Sequence, residues 1–369
     1  MVMKRILFYT SIRTRVRDQE SLMVEFVKKG HQVFFINQQQ NDYLPTICKQ
    51  AGVIYKRVSI PKLKSSIVRT FFYSIQLAKF VWLNKIDIVY SHLEPANFIA
   101  VLAQYLIRAK VIIVRHHHDL AALAGFSNDL SYKLTYRLAN HVIVVAKATK
   151  EYMILKEGIN RSKIVHINLG YDFNLFTPVD DSRVSQLRSQ LQGAIGLITV
   201  GRLEPNKRPE LSLEVLKRLT DRGIQASLKY LGAGEMKTDL EQLVNLYGLT
   251  NQVEFLGYRD DVLDQLKGSD WLLHPSISEA SCVVIKEAGL VKLPVIACKG
   301  IGDFDDYLVH EENSMLVHPD TFLMEACEII AQHTNQKIRN QLGAALNQSI
   351  IEKFHISSVL NQYDYFNVD

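Results

Sequence analysis

The chain has 369 residues, 47% hydrophobic and 22% charged, the balance of a folded globular protein, which excludes disordered, collagen-like and coiled-coil classes. That length exceeds what one hydrophobic core usually serves and predicts two domains. The net charge of +5 hides a division: residues 1–175 carry 25 Lys and Arg against 11 Asp and Glu, whereas residues 176–369 carry 18 against 27.

The opening Met-Val-Met-Lys-Arg leads into a short apolar run at 6–9, too short for a signal peptide and read as a first buried strand. Further strands are predicted at 33–36, 88–91, 111–115 and 141–145, with helical stretches 19–29, 66–83 and 97–107 between them. Residues 163–169 read as one more strand, closed by the turn Gly170-Tyr171-Asp172, and the polar segment 177–192 as a linker with a lead-in helix. The pattern then restarts: strands at 195–200, 226–231, 253–256, 271–274 and 294–297 alternate with helices at 210–221, 237–247, 262–267 and 282–290, and the remainder is helical. Alternation of this kind predicts an α/β fold of two doubly wound parallel sheets, with domains at 1–175 and 176–350 and a terminal helix at 351–369. Ligands of such sheets bind beyond the carboxyl ends of strands, so two in tandem predict a ligand in the cleft between them. No run of about 18 apolar residues lacks a charge, so no spanning helix is expected. Cys48, Cys282, Cys298 and Cys327 form no CxxC pair, which fits a reducing compartment and a cytoplasmic protein.

The residues with chemical promise follow the restarted strands. Gly201-Arg202-Leu203-Glu204-Pro205-Asn206-Lys207-Arg208 leaves a strand through a glycine. Its Arg202 fork and Lys207 ammonium suit a diphosphate, and an exposed charged loop explains them equally well. Farther on, His274-Pro-Ser-Ile-Ser-Glu279-Ala-Ser281-Cys282 leads into Val283-Val-Ile-Lys-Glu287-Ala-Gly. A helix beginning there leaves the first amides, at Ser281, Cys282 and Val283, free to meet an anion. Glu279 and Glu287 are eight residues apart, which at ~100° per residue returns within ~80° of one face. Both carboxylates can then accept hydrogen bonds from sugar hydroxyls; a structural turn and a solvated helix position are the plainer explanations. Asp303-Phe-Asp305-Asp306 has the spacing of a divalent-cation pair, a weak signal because such pairs arise by chance.

The ordered set Gly-Arg-Leu-x-Pro-x-Lys, Leu231-Gly-Ala-Gly-Glu235, Val253-Glu-Phe-Leu-Gly257, His274-Pro-Ser with Glu279 and Glu287, and Pro294-Val-Ile-Ala resembles the retaining glycosyltransferases of family 4, which have the GT-B fold of two Rossmann-like domains facing a cleft. Residues 165–178 also match the family, and the likeness is weak before Val111. The resemblance implies that Arg202 and Lys207 neutralise the diphosphate of a nucleotide sugar, that Glu287 holds the ribose hydroxyls, and that Glu279 faces the donor sugar. His118, in Arg115-His-His-His-Asp119, matches the family histidine near the reacting carbon. The implied donor is a UDP-hexose, with a GDP-sugar next, and no metal cofactor is expected. Retention would come from same-face attack assisted by the leaving phosphate. The terminal segment is expected to return to the first domain, which in the family binds the acceptor. Two departures stand out. The family pattern Glu-Gly-Phe-Gly is replaced by Glu279-Ala-Ser-Cys282, which narrows the space at the donor sugar and leaves a silent sugar-nucleotide binder as an alternative; a sugar-nucleotide epimerase, which shares the architecture, is another. The Gly-Gly after the first strand is replaced by Arg13, Arg15 and Arg17 at alternate positions, for phosphate binding or plain solvation.

Lys56, Arg57, Lys62, Lys64 and Arg69 precede or join Phe71-Phe72-Tyr73, a mixture that suits the headgroup zone of an anionic bilayer. The expectation is peripheral binding at the cytoplasmic membrane face, with a lipid-linked or cell-envelope glycan as acceptor. No nucleic-acid module accompanies the basic half, so nucleic acid is not an expected partner.

Overall fold

The computed structural model describes residues 2–12, 16–38, 46–56, 65–116 and 126–366. The chain divides into two compact units, Met1–Leu175 with Phe354–Asp369, and Phe176–Lys353.

The first unit is built on β1 (Arg5–Thr10), β2 (Gln32–Asn37), β3 (Ile54–Tyr55), β4 (Ile88–His92), β5 (Lys110–Arg115), β6 (His141–Val144) and β7 (Ile164–His166). Their order is β3-β2-β1-β4-β5-β6-β7, every pairing parallel. Runs such as Ile-Leu-Phe-Tyr in β1 and Val-Ile-Ile-Val in β5 are buried throughout, as strands covered by helices on both faces must be. On one face Leu7, Val89, Ile113 and Val142 pack against Leu77, Val81 and Ile99 from the helices. The terminal segment belongs to this unit. Tyr171 N donates to Phe354 O at 2.8 Å and Ile356 N to Tyr171 O at 2.9 Å, and the Tyr363 ring stands edge-on to Phe26 and Tyr90. Helix Gln336–Phe354 runs past residue 350, so the second unit closes slightly later than the sequence boundary.

The second unit repeats the plan with β8 (Ile195–Val200), β9 (Ala226–Leu231), β10 (Val253–Gly257), β11 (Trp271–His274), β12 (Val295–Cys298) and β13 (Met315–Val317). Their order is β10-β9-β8-β11-β12-β13, again all parallel. Leu197, Leu228, Trp271 and Ile296 from the strands meet Leu213, Leu216, Leu240 and Phe322 from the helices. The α/β expectation of two doubly wound parallel sheets is met. The strands unread in the sequence are β3 and β13, two and three residues long, too short to show alternation.

In each sheet the order reverses once, between β1 and β4 and between β8 and β11. The loops leaving those strands part in opposite directions, which opens a crevice at the carboxyl edge. Among the described residues no helix is long and apolar enough to cross a membrane.

Candidate functional site

The reversal between β8 and β11 carries the residues singled out from the sequence. Beyond β8 the chain turns at Gly201, makes a short 3-10 turn at Pro205–Lys207, and passes through Arg208 in the left-handed region (φ 48°, ψ 49°) before helix Pro209–Asp221. Beyond β11 it runs through Pro275–Ser281 to Cys282, which precedes helix Val283–Leu290 without a side-chain capping bond among the described residues. The two loops are stitched together. Ile277 N donates to Asn206 O at 3.0 Å and Ser276 Oγ to the same oxygen at 3.2 Å. The Arg208 guanidinium donates to Pro275 O at 3.0 Å and Pro319 O at 2.7 Å.

This stitching brings Lys207 onto Glu279 as an ion pair. The two side chains are 17% and 10% exposed, little enough that water screens the pair weakly while leaving a way in. His274 Nε2 lies 2.9 Å from Glu279 Oε1 and 3.6 Å from Cys282 Sγ. Burial favours a neutral Glu279, yet His274 and Lys207 outweigh it and hold the carboxyl at about 2. Burial likewise opposes a charged His274, but the Cys282 sulfur and the Glu279 carboxylate raise it to about 10. The result is a carboxylate held between two cations beside a helix start whose amides and dipole favour negative charge. Such a place can exchange one anion for another.

The remaining candidates fall differently. The Arg202 side chain is 69% exposed and pairs with Glu204 rather than joining Lys207. Glu287, the fifth residue of helix Val283–Leu290, is buried. The Ser281 hydroxyl turns inward, donating to Asp303 Oδ2 at 2.6 Å, so only its backbone amide remains at the helix start. Val283 opens the helix and Cys282 is buried. Lys56 is exposed just after β3. His118, Arg13, Arg15, Arg57, Lys62 and Lys64 lie outside the described residues. Asp303 and Asp305 do not converge on a cation: Asp303 is buried against Lys286, while Asp305 accepts from Gly300 N.

Two contributors went unread in the sequence. Arg208 closed the loop motif without being given a role, though its place next to Lys207 was the available signal. His274 was noticed only as part of His-Pro-Ser; its five-residue spacing from Glu279 gives no face relation until the turn folds.

Two family models match the chain: Glycosyltransferase Family 4 over residues 20–175 and Glycosyl transferases group 1 over residues 189–347, so that between them most of both units is matched. The chain is 25% identical over 360 residues to the phosphatidylinositol N-acetylglucosaminyltransferase GPI3 subunit of Saccharomyces cerevisiae strain YJM789, covering 94% of this chain and 76% of that protein. It is 24% identical over 337 residues to the Escherichia coli UDP-Gal:alpha-D-GlcNAc-diphosphoundecaprenol alpha-1,3-galactosyltransferase, covering 85% and 80%. The crystal structure of Anabaena HepE in complex with UDP superposes with a TM-score of 0.81 at 19% identity over 99% of each chain. Two such sheets in tandem are the GT-B architecture. The chain is therefore a glycosyltransferase of family 4.

Proposed function

We propose that this enzyme moves a hexose from a nucleotide diphosphate sugar, a UDP-hexose ahead of a GDP-sugar, to a lipid-linked or cell-envelope glycan, with retention at the anomeric carbon. The observation that carries the reading is the Lys207–Glu279 pair at the strand-order reversal, beside the start of helix Val283–Leu290. An arriving diphosphate competes with Glu279 for the Lys207 ammonium. The displaced carboxylate then accepts hydrogen bonds from the donor sugar's hydroxyls, and Glu287 takes the ribose. Negative charge growing on the departing diphosphate meets Lys207, Arg202 once it leaves Glu204, and the amides of Ser281, Cys282 and Val283, which lowers the barrier where charge develops. With these cations in place the transfer runs without a metal cofactor. By its resemblance to the family histidine, His118 is the residue proposed for the reacting carbon. Support for the donor and acceptor classes comes from the Escherichia coli relative, whose name specifies UDP-Gal and a diphosphoundecaprenol-linked sugar, and from HepE, crystallised with UDP. The yeast relative is named for phosphatidylinositol.

The membrane part of the reading rests on helix Ser66–Leu83. Its Ile67, Phe71, Ile75 and Trp82 are exposed, and their spacing places them on one face. Arg69 and Lys79 on the same helix are also exposed. An apolar stripe edged with cations suits the headgroup region of an anionic cytoplasmic membrane face. Turnover of a nucleotide-sugar panel with acceptor lipids tests the chemistry: Lys207→Ala and Glu287→Ala are expected to abolish donor use, and retained transfer overturns the assignment. Flotation with anionic vesicles tests the membrane face; absence of salt-sensitive binding, or binding untouched by Trp82→Ser with Phe71→Ser, removes it.

A further inference from the structure

His274, Glu279 and Cys282 present a ring nitrogen, a carboxylate oxygen and a sulfur within 4.8 Å of one another. The three side chains come from a strand end, a tight turn and a helix start, so the backbone holds them in place, and all are nearly shielded from solvent. Nε2 of His274 faces both Glu279 Oε1 and Cys282 Sγ, so a single ring N–H is shared between the two.

A cation at the centre satisfies all three at once. Imidazole, thiolate and carboxylate are the donors zinc takes, at about 2.0–2.3 Å, and on a tetrahedral ion such ligands stand roughly 3.4–3.6 Å apart. The observed 2.9 Å and 3.6 Å separations from His274 lie near this spacing, and the Glu279 and Cys282 donor atoms, within 4.8 Å of each other, draw together on the ion as it binds. Zn²⁺ with one carboxylate and one thiolate is electrically neutral, which suits a buried site. Three protein ligands leave a fourth position for water or another anion. We propose that His274, Glu279 and Cys282 form a capture site for Zn²⁺ or another thiophilic divalent cation, which competes with Lys207 for Glu279. Binding takes histidine neutral and cysteine as thiolate, so their protons leave to solvent. Zinc in this place is an inhibitor of nucleotide binding; that consequence rests on the donor site proposed above, whereas metal binding itself does not.

Cobalt(II) titration of the full chain reads the site directly, because a thiolate ligand adds a sulfur-to-cobalt charge-transfer band. One equivalent is expected to produce the band, and Zn²⁺ to abolish it. Cys298→Ser and Cys327→Ser leave it intact, and Cys282→Ser removes it. His274→Gln weakens cobalt binding by at least the ~10–100-fold that loss of an outer-shell partner costs, and decides the matter if Cys282→Ser does not fold. No band, a band that survives Cys282→Ser, or a cobalt affinity left unchanged by His274→Gln, overturns the proposal. UDP titration separates the two readings. A band formed with UDP binding unaffected by zinc leaves the metal site standing and removes the donor assignment. UDP binding without any band does the reverse.

Discussion

Lys286 and Asp303 form an ion pair in which neither side chain is exposed to solvent. Lys286 Nζ also donates to Ser281 Oγ at 3.0 Å and stands 4.6 Å from the centre of the Tyr307 ring. Burial pushes the Asp303 carboxyl up and Lys286 pulls it back. Removing one partner strands the other charge, so Lys286→Met is expected to cost about 3–5 kcal/mol, whereas Lys286→Met with Asp303→Leu costs far less. Urea unfolding midpoints of the single and double variants check this. A double variant no more stable than the single one would show that the charges are not what the site depends on.

Close backbone approach behind the site gives a second expectation. Gly232 has φ +141°, and a Cβ there would stand 1.9 Å from Gly201 O; one at Gly234 would stand 2.3 Å from Leu203 O. The loop after β9 is thus pressed onto the loop that carries Lys207, and Leu203 N donates to Ala233 O at 3.0 Å. Gly232→Ala must push that loop away at a cost of at least ~1–3 kcal/mol, and UDP affinity is expected to fall with it. Thermal unfolding with and without UDP measures both, and a variant matching the wild type in each contradicts the packing.

The first unit carries a pH dependence of its own. Asp18, the second residue of helix Arg17–Lys28, is raised to about 7: burial dominates, the amides of Asp18 and Gln19 pull the other way, and Glu20 adds to the rise. A carboxyl whose folded value exceeds its unfolded one stabilises the fold fully at low pH. That contribution is lost as pH rises through about 4 to 7, at roughly 1 kcal/mol per unit. Asp18→Asn removes the decline, so the variant gains on the wild type across this window. Glu94, also raised to about 7 by burial, retains its own slope in both. Urea midpoints across the window decide it; a constant difference between the two proteins would refute the Asp18 assignment.

Most strands were legible because they are dense apolar runs with a glycine or polar turn after them, as in Ile195–Val200 followed by Gly201. The site was legible in part. Lys207 and Glu279 are separated by 72 residues, and only the ordered motif set put them on one nucleotide. Ser281 was read as a donor contact because it opens a helix, whereas the buried Lys286–Asp303 pair claims its hydroxyl. That partnership spans three elements and leaves no local pattern. Arg202 was grouped with Lys207 by motif, while in the structure its nearer carboxylate, Glu204, holds it.

Arg208 ties these loops together and supplies the last expectation. Its guanidinium reaches two carbonyls in different loops, Pro275 O and Pro319 O, and approaches Cys298 Sγ at 3.8 Å, a task for a planar fork that an ammonium cannot reproduce. Without it, Pro275–Ser281 keeps only its bonds to Asn206 O as ties to the segment carrying Lys207, and the Lys207–Glu279 geometry drifts. Misplacement of about 1 Å costs as much as ~100-fold in rate, so Arg208→Lys is expected to fold but to lose kcat/KM toward that extent. Arg208 is a positioning residue, so the loss should appear in kcat as well as in donor KM, with the unfolding midpoint little changed. Full activity in Arg208→Lys, or a fall in stability that accounts for the whole loss, would deny it that role.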